Sequence, residues 1–383
     1  MIYTMSRKDL PQLVLNWLEK QGKTPFPYQL DAWAAILHGK SGIINAPTGS
    51  GKTLAAFLGI LMKHIQENPD THSNPVKGLQ VIWISPLRSL AKDIARALTE
   101  TLESIGIPWT VAIRNGDTET RERTRQKKDI PNVLITTPES LHLLLAQKGY
   151  PTFFETLRWL IVDEWHELMG SKRGVQVELA IGLLQSLKQT KKTTTSSNKR
   201  SLQVWGISAT IGNLEEARDV LLSPLNSAGI IIKSNIQKHY RIQSIFPDEI
   251  EKYPWAGHLG IKLAHKIESI VRSHRSTLIF INTRGMSETW YQKILELYPD
   301  LAGAIALHHG SIEQPIRVWV EEAIHEGKLQ AVVCTASLDL GVDFRPVEAV
   351  IQVGSPKGVG RFLQRVGRSG HQPDAESVAW FLP

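Results

Sequence analysis

With 383 residues, of which 42% are hydrophobic and 21% charged, the chain is typical of a soluble globular protein and too long for one ordinary core, so two domains are expected. The net charge of +7 is compatible with a polyanionic partner but is also common in proteins without one. The single cysteine, Cys334, excludes an internal disulfide. Because neither a signal-peptide core nor a run of about 18 apolar residues is present, a cytoplasmic protein with no membrane partner is predicted.

Short apolar runs alternate with helical patterns along the whole chain. They lie at 42–45, 81–85, 133–137, 157–162 and 204–208 in the first half, and at 277–281, 304–307, 331–335, 349–353 and 378–382 in the second. Continuous apolar strands that alternate with helices indicate parallel sheets buried on both faces. Two such sets predict two α/β domains, at 1–233 and 234–383, with parallel sheets flanked by helices.

Two of the connecting segments have clear helical periodicity. Apolar residues from Leu54 to Ile65 recur at the i, i+3, i+4 and i+7 spacing of one helix face, and those from Leu87 to Leu98 repeat the pattern. The polar, basic segment 188–200 (KQTKKTTTSSNKR) is predicted to be a loop. A solvated connector is the favoured interpretation of this loop, and a nucleic-acid contact is the alternative.

The segment APTGSGKT (46–53) follows the first strand and begins the first helix. It matches the phosphate-binding pattern G-x-x-x-x-G-K-[ST], with Ala46 in place of the first glycine. Lys52 would reach the β- and γ-phosphates of ATP, and the Thr53 hydroxyl would hold Mg²⁺. A Gly-Ser turn before a helix is the alternative. We expect the nucleotide to contact Thr48, Gly49, Ser50, Gly51, Lys52 and Thr53.

An acidic pair, Asp163 and Glu164, ends the strand in LIVDEWHEL (160–168). The pair could cap the following helix. With a phosphate-binding loop on another strand of the same sheet, it instead predicts a catalytic site. Asp163 would bind Mg²⁺ together with Thr53 and phosphate oxygens, and Glu164 would orient and deprotonate the attacking water.

The ordered motifs APTGSGKT, DEWH, SAT (208–210) and QRVGRSGH (364–371) resemble those of superfamily 2 helicases with a DExH box. Longer stretches, among them VDEWHELMGSKRGVQVELA and GSPKGVGRFLQRVGRSGH, are similar to the Lhr (large helicase-related) group and most of all to its ligase-associated bacterial branch. The resemblance covers essentially the whole chain, which corresponds to the N-terminal helicase core of that group. It implies two tandem RecA-like domains with the ATP site in the interdomain cleft.

The resemblance also implies nucleotide contacts outside the phosphate-binding loop. Gln29 would read the adenine, and Phe26 would pack beside the base or, equally, belong to the core. In the second domain, Gly341 and Asp343 would approach ATP.

The last motif resembles an arginine-finger motif through Gln364, Arg365 and Arg368. Their role would be to stabilise charge that develops on the γ-phosphate. An ordinary ion pair is the alternative for either arginine. His371 stands where superfamily 2 proteins often carry a final arginine, and its role as a phosphate contact or as a loop residue is open.

Three residues are assigned by the resemblance to coupling. Ser208 and Thr210 match the motif that couples hydrolysis to domain closure. His166 would form a hydrogen bond with Gln364 and so link the DEWH motif to the last motif.

Nucleic-acid contacts would come from strand-end loops, whose hydroxyls and backbone amides hold phosphates without reading sequence. Each candidate could instead be a helix cap or a helix-end charge. Trp255 could stack on a base, but core packing is the favoured interpretation. The candidates are Arg88, Thr137, Glu139, Arg284, His308, Gly310 and Thr335.

The function implied by the resemblance is an ATP-dependent DNA helicase or translocase in DNA repair, stimulated by single-stranded DNA and moving 3′ to 5′. The expected partners are single-stranded or tailed duplex DNA and a DNA ligase or nuclease. The alternatives are an RNA or RNA–DNA hybrid helicase and a nucleotide-switched binding module without turnover. Lhr-group proteins continue beyond the last motif with a winged-helix domain and further domains. In this chain, whether shortened or naturally short, we therefore expect hydrolysis and strand binding to survive better than unwinding.

Overall fold

The computed structural model describes residues 10–71, 74–190, 201–209, 211–236, 239–246, 260–339, 347–356, 358–370 and 376–383. The chain divides into two compact units, the first formed by residues 1–47 and 51–235 and the second by residues 48–50 and 236–383. The sequence analysis placed the boundary at 233/234. None of the described helices is long and apolar enough to cross a membrane. Five residues of the sequence predictions lie outside the described residues: Thr210, Trp255, Gly341, Asp343 and His371.

The first unit is built on a seven-stranded sheet with the order β3-β4-β2-β5-β6-β1-β7, in which all neighbouring strands are parallel. The strands are β1 Gly42–Asn45, β2 Val81–Ile84, β3 Val111–Arg114, β4 Val133–Thr136, β5 Trp159–Val162, β6 Gln203–Ser208 and β7 Ile230–Lys233. The helices are α1 Gln12–Lys20, α2 Pro27–Leu37, α3 Lys52–Glu67, α4 Arg88–Ile105, α5 Thr120–Lys128, α6 Pro138–Leu145, α7 Tyr150–Phe153, α8 Trp165–Leu168, α9 Lys172–Thr190 and α10 Leu214–Leu222.

The second unit contains a six-stranded parallel sheet with the order β10-β11-β9-β12-β13-β8. Its strands are β8 Tyr240–Ser244, β9 Thr277–Phe280, β10 Ile305–His308, β11 Ala331–Cys334, β12 Ala349–Val353 and β13 Ser377–Leu382. Its helices are α11 Glu268–Ser273, α12 Arg284–Leu297, α13 Gln314–His325 and α14 Val359–Val366. In both units the central strands are fully buried, as continuous apolar strands covered on both faces require. The predicted α/β fold class is confirmed.

The sequence analysis missed three strands, and all three lie at sheet edges. An edge strand has one neighbour and one open side, so it needs no continuous apolar run. The sequences of β3 (VAIR) and β8 (YRIQS) mix polar and apolar residues accordingly, and every residue of β8 is exposed. The three isoleucines of β7 form a short β-branched run that indicates a strand, and the sequence prediction did not include it. The predicted loop 188–200 was wrong at its start, because α9 continues to Thr190; residues 191–200 lie outside the described part of the chain.

The register of the first sheet brings three motif-bearing strand ends together. Asn45 of β1 is paired with Ser208 of β6, and Val162 of β5 is paired with Gly206 of β6. The phosphate-binding loop, the acidic pair and the SAT motif therefore leave the same carboxyl edge of the sheet side by side. In open α/β sheets this edge is where ligands bind.

Candidate active site

The phosphate-binding loop depends on two glycines in the left-handed backbone region. Gly49 has φ 78° and Gly51 has φ 81°, values that side-chain-bearing residues rarely adopt. A Cβ atom at Gly51 would lie 2.8 Å from the Gln29 Nε2 atom, so a side chain at this position would displace the Gln29 amide. Lys52, only 8% exposed, is the first residue of α3, and Thr53 follows half-buried. The loop thus ends at a helix N-terminus, where N–H groups and the helix dipole favour phosphate.

Gln29 binds the phosphate-binding loop as well as its own helix. Its Nε2 donates to the Gly51 carbonyl at 3.1 Å, and its Oε1 accepts from the Phe26 backbone N–H at 2.9 Å. Phe26 is half-buried, with its ring stacked on Tyr28 at a centroid distance of 6.2 Å. Phe26 is therefore not a fully buried core residue. The Gln29 hydrogen bond connects one face of α2 directly to the phosphate-binding loop.

Asp163 is held in one orientation by two donors. Its Oδ2 accepts from the Trp83 indole N–H at 3.3 Å, and its Oδ1 accepts from the Glu164 backbone N–H at 2.9 Å. Both donors favour the charged carboxylate, but the side chain is buried. Burial, followed by the neighbouring Glu164 charge, raises the pKa of Asp163 to about 7, against the opposing effects of Lys52 and Trp83.

Glu164 has an unusual backbone conformation, with φ 44° in the left-handed region. Non-glycine residues held there are often found at functional sites. This geometry directs the Glu164 carboxylate toward the phosphate-binding loop, with Oε1 3.9 Å from Lys52 Nζ. Oε2 lies 3.5 Å from His166 Nδ1.

Three buried polar atoms of this site form no hydrogen bond with any described residue. They are Lys52 Nζ, Glu164 Oε2 and His166 Nε2. Buried polar groups are nearly always satisfied, so such atoms at one sheet edge indicate a polar ligand. These groups fit ATP and Mg²⁺. The Lys52 ammonium can face phosphates, and the Thr53 hydroxyl and the Asp163 carboxylate can supply oxygen ligands to the metal. No cluster of three or more His, Cys, Asp or Glu side chains suited to a metal occurs among the described residues, so a metal here would also need phosphate oxygens and water.

His166 connects the acidic motif to the SAT motif within the first unit. Its Nδ1 is 2.8 Å from the Ser208 hydroxyl, and Ser208 is fully buried. The Asn45 side chain, at the start of the phosphate-binding loop, donates to the backbone carbonyls of Ser208 and Ala209. The SAT motif is thus in direct contact with both neighbouring motifs.

In the second unit, Arg365 has partners that differ from the sequence prediction. Its Nε and Nη2 donate to the two carboxylate oxygens of Asp339, at 2.7 and 3.2 Å, and its Nη1 donates to Gln352 Oε1 at 2.7 Å. The guanidinium lies over the Phe280 ring at 4.9 Å, and the residue is 2% exposed. Arg365 is therefore engaged in a buried bidentate pair inside its own unit, which is closer to the ion-pair alternative than to a phosphate contact.

Arg368 and Gln364 lie on the same segment as Arg365. Arg368 is 5% exposed and donates from Nη2 to the Asp339 backbone carbonyl at 2.9 Å. Gln364 is 3% exposed, and neither its Nε2 nor its Oε1 is hydrogen-bonded to a described residue. An unsatisfied buried amide is consistent with a polar ligand.

The nucleic-acid candidates of the first unit lie on neighbouring strand ends, after β2 and β4. Arg88 Nη1 pairs with Asp117 at 2.6 Å, and Glu139 pairs with Arg173 at 2.6 Å. Thr137 is the N-cap of α6, and its hydroxyl accepts from the Ser140 N–H at 3.4 Å. The capping alternative thus applies to Thr137, and the two charged candidates are exposed but paired.

The four candidates of the second unit also meet at one edge, after β9, β10 and β11. Arg284 donates to the Ser311 hydroxyl, beside Gly310, at 2.9 Å. His308 is buried, with Nδ1 2.8 Å from the Ser337 hydroxyl, and the Thr335 N–H donates to the His308 carbonyl at 3.2 Å. The structure therefore brings Arg284, His308, Gly310 and Thr335 together, as parallel strand ends require.

Sequence reasoning missed Trp83, Asp339 and Asp117, which hold Asp163, Arg365 and Arg88 respectively. Asp339 stands in the SLDLGVDF motif and could have been noticed there. No signal in the sequence pairs Trp83 or Asp117 with their partners.

Two helicase family descriptions match this chain. The family description "DEAD/DEAH box helicase" matches residues 26–217, about half of the chain, and "Helicase conserved C-terminal domain" matches residues 262–372. The chain belongs to the DEAD/DEAH box helicases. The first match contains the phosphate-binding loop, and the second contains the last motif.

Within the DEAD/DEAH box helicases, the chain is similar to Lhr proteins. It is 35% identical over 368 residues to the ATP-dependent helicase Lhr-Core of Sulfolobus acidocaldarius, and 33% identical over 412 residues to the Lhr helicase/probable uracil glycosylase of Mycolicibacterium smegmatis. The solved structure of Mycobacterium smegmatis helicase Lhr bound to ssDNA and AMP-PNP is 32% identical and covers 98% of this chain, with a TM-score of 0.84.

The chain spans less than half of each of these relatives. The alignments cover 94% of this chain but 41% of the Sulfolobus protein, 97% of this chain but 26% of the Mycolicibacterium protein, and 48% of the solved chain. Similarity of the helicase core is therefore what these comparisons establish.

Proposed function

We propose that this DEAD/DEAH box helicase is an ATP-dependent DNA helicase or translocase whose ATP hydrolysis is stimulated by single-stranded DNA. The observation that carries the proposal is the Glu164 carboxylate, which the left-handed backbone directs to within 3.9 Å of Lys52. Beside it stands Asp163, a second buried carboxylate. Phosphoanhydride hydrolysis requires a cation, a carboxylate ligand for the metal and a base. This sheet edge carries a candidate for each.

Each side chain of the first unit has a distinct role in this proposal. When bound, ATP supplies the phosphoanhydride and Mg²⁺ supplies positive charge at the phosphate oxygens. The Lys52 ammonium neutralises the β- and γ-phosphates, while Thr53 and Asp163 provide oxygen ligands for the metal. Glu164 Oε2, which lacks a hydrogen bond among the described residues, accepts a proton from the attacking water.

For the last motif we propose different roles for its two arginines. We assign the arginine-finger role to Arg368, because the Arg365 guanidinium is engaged by Asp339 and Gln352. Arg365 then fixes α14 on Asp339 and positions Arg368, which follows three residues later. Gln364, with its unsatisfied amide, is the candidate partner of His166.

The geometry supports turnover over a switch that only binds nucleotide. A switch needs neither a strained glutamate beside the lysine nor a hydrogen bond between His166 and Ser208. The His166–Ser208 contact gives the site a route by which a change at the acidic motif is passed to the SAT motif.

A DNA track and 3′-to-5′ movement in DNA repair are the finer parts of the proposal. The solved relative is described as bound to ssDNA, which supports single-stranded DNA as the track. The strand-end loops with Arg88 in the first unit and Arg284 in the second offer exposed cations suited to a phosphate backbone. A DNA ligase or nuclease partner and a cytoplasmic location are further predictions of the resemblance.

Displacement of streptavidin from end-biotinylated oligonucleotides tests the track and the polarity together. We expect ATP-dependent displacement from the 5′ end of single-stranded DNA and little from the 3′ end. Displacement from the 3′ end would overturn the polarity. Faster displacement from a matched RNA would assign the protein to RNA.

A further inference from the structure

Helix α5 carries a basic surface that the proposed site does not use. Its sequence, TRERTRQKK, contains five basic residues and one acid and no aromatic residue. Arg121, Arg125 and Lys128 are exposed and follow the i, i+4, i+7 spacing of a single helix face. At 1.5 Å rise per residue, this α5 basic stripe is about 10 Å long.

The opposite face of α5 is fixed to the end of β3. Arg123 Nη2 donates to the carbonyl oxygens of Asn115 and Gly116, at 3.0 and 3.3 Å. Gln126, 2% exposed, donates to the Ile113 carbonyl at 3.0 Å. The α5 basic stripe is therefore displayed on a helix with a defined position, so little conformational entropy is lost when it binds.

The loop between β3 and α5 connects the α5 basic stripe to Arg88. Asp117 in this loop accepts from Arg88 at 2.6 Å, and a Cβ atom at Gly116 would collide with the Arg88 guanidinium. The loop is braced internally, because the Asp117 N–H donates to Asn115 Oδ1 at 2.9 Å. Since β3, β4 and β2 are neighbours, α5 begins at the same sheet edge as the strand-contact candidates Arg88, Thr137 and Glu139.

The surroundings of the α5 basic stripe leave its positive charge only partly balanced. Residues 114–128 contain six basic and three acidic side chains. Two of the acids are engaged, Asp117 by Arg88 and Glu122 by Arg125. Burial, followed by the nearby Arg123 charge, lowers the pKa of Arg114. A polyanion is the ligand that such a surface attracts.

We propose that the α5 basic stripe binds the phosphate backbone of the duplex arm of a tailed duplex. This inference rests on the proposed function, which supplies the single-stranded tail. Sites for single strands add aromatic platforms for base stacking, and α5 has none, so its chemistry fits contacts to the backbone alone. One strand of B-form DNA carries a phosphate about every 3.4 Å along the axis, so the stripe matches about three phosphates.

The test compares binding to a tailed duplex and to the isolated single-stranded tail, over a series of salt concentrations, with the whole chain. The variant is Arg121→Gln, Arg125→Gln and Lys128→Gln together. A matched control replaces Lys20, Lys23 and Lys77 with glutamine. All three lysines are exposed, and Lys77 precedes β2 at the amino edge of the sheet. Lys20 and Lys23 lie near Trp17, which donates to Ser104 at the end of α4 opposite to Arg88.

We expect the stripe variant to bind the tailed duplex about tenfold more weakly or worse, with the salt slope reduced by about 0.9 for each lost phosphate contact. Its affinity for the single-stranded tail and the affinities of the control should change less than twofold, roughly the noise of such measurements. An unchanged duplex affinity and salt slope would overturn the inference, and so would an equal loss for duplex and single strand. Wild-type ATPase without stimulation by any strand would instead overturn the proposed function, whatever the duplex affinities.

Discussion

The Ser208 hydroxyl lies 2.8 Å from His166 Nδ1, so a hydrogen bond joins two motifs that are 42 positions apart in the chain. His166 is also 3.5 Å from Glu164, the proposed catalytic base. A change in charge at Glu164 therefore reaches the SAT motif through one side chain.

Replacement of Ser208 by alanine should uncouple hydrolysis from strand binding. The substitution removes the hydroxyl but leaves Lys52, Asp163 and Glu164 in place, so ATP hydrolysis should persist while its stimulation by single-stranded DNA falls several-fold. The measurement is the ratio of ATPase rates with and without the strand. Equal loss of both rates would mean that the hydrogen bond supports the chemistry itself.

Trp83→Phe should weaken Mg²⁺ use. The substitution deletes the indole N–H that binds Asp163 Oδ2 and favours its charged form. We expect the Mg²⁺ concentration for half-maximal ATPase to rise about tenfold, the effect typical of losing a residue that orients a metal ligand.

Trp205→Phe is the matched control for Trp83→Phe. Trp205 is also fully buried in the same sheet, but its indole nitrogen has no hydrogen-bond partner among the described residues. The control should leave Mg²⁺ dependence unchanged. A similar shift in both variants would show a packing effect and contradict the orienting role of Trp83.

The raised pKa of Asp163 predicts an effect of pH on the stability of the Mg²⁺-free protein. Burial raises this pKa from 3.8 to about 7, so the carboxyl stabilises the folded state fully below about pH 4. That contribution is lost as pH rises through about 7. Asp163→Asn cannot ionise, so its Tm in a chelator should rise relative to wild type between about pH 4 and 7 and keep a constant difference above that range. A Tm difference that stays constant between about pH 4 and 7 as well would contradict the buried, shifted carboxyl.

Substitution of Arg365 should mainly lower the stability of the fold, whereas substitution of Arg368 should mainly lower the rate of ATP hydrolysis. Arg365→Ala leaves the Asp339 carboxylate buried without its bidentate partner, and removal of one partner from such a pair typically costs about 3–5 kcal/mol. Arg368→Ala should lower the ATPase rate by about 10³ or more, as loss of an arginine finger does, with a smaller change in the free energy of unfolding. Denaturant unfolding and ATPase rates measured on both variants check this. If Arg365→Ala unfolds normally and loses only hydrolysis, the arginine-finger role first predicted for Arg365 is restored.

The motifs predicted which residues lie together at the centre of the site. They did not predict the side-chain hydrogen bonds and ion pairs that hold those residues in position. Lys52 and Glu164 could be placed together from sequence, because both follow buried parallel strands whose carboxyl ends share one edge. The Trp83–Asp163 bond depends on register: Trp83 pairs with Ile161, which puts its side chain on the face of the sheet that Asp163 continues. The Arg365–Asp339 pair depends on how α14 packs on its sheet. Neither register nor packing can be read from one sequence.

The role of Glu164 in hydrolysis is tested by steady-state ATPase of the whole chain, with and without single-stranded DNA, measured for the wild type and for Glu164→Gln. We expect single-stranded DNA to stimulate hydrolysis by the wild type. In Glu164→Gln the ATPase rate should fall about 10²–10⁴-fold, the usual contribution of a general base, while nucleotide binding is retained. Hydrolysis by Glu164→Gln at the wild-type rate would contradict this role.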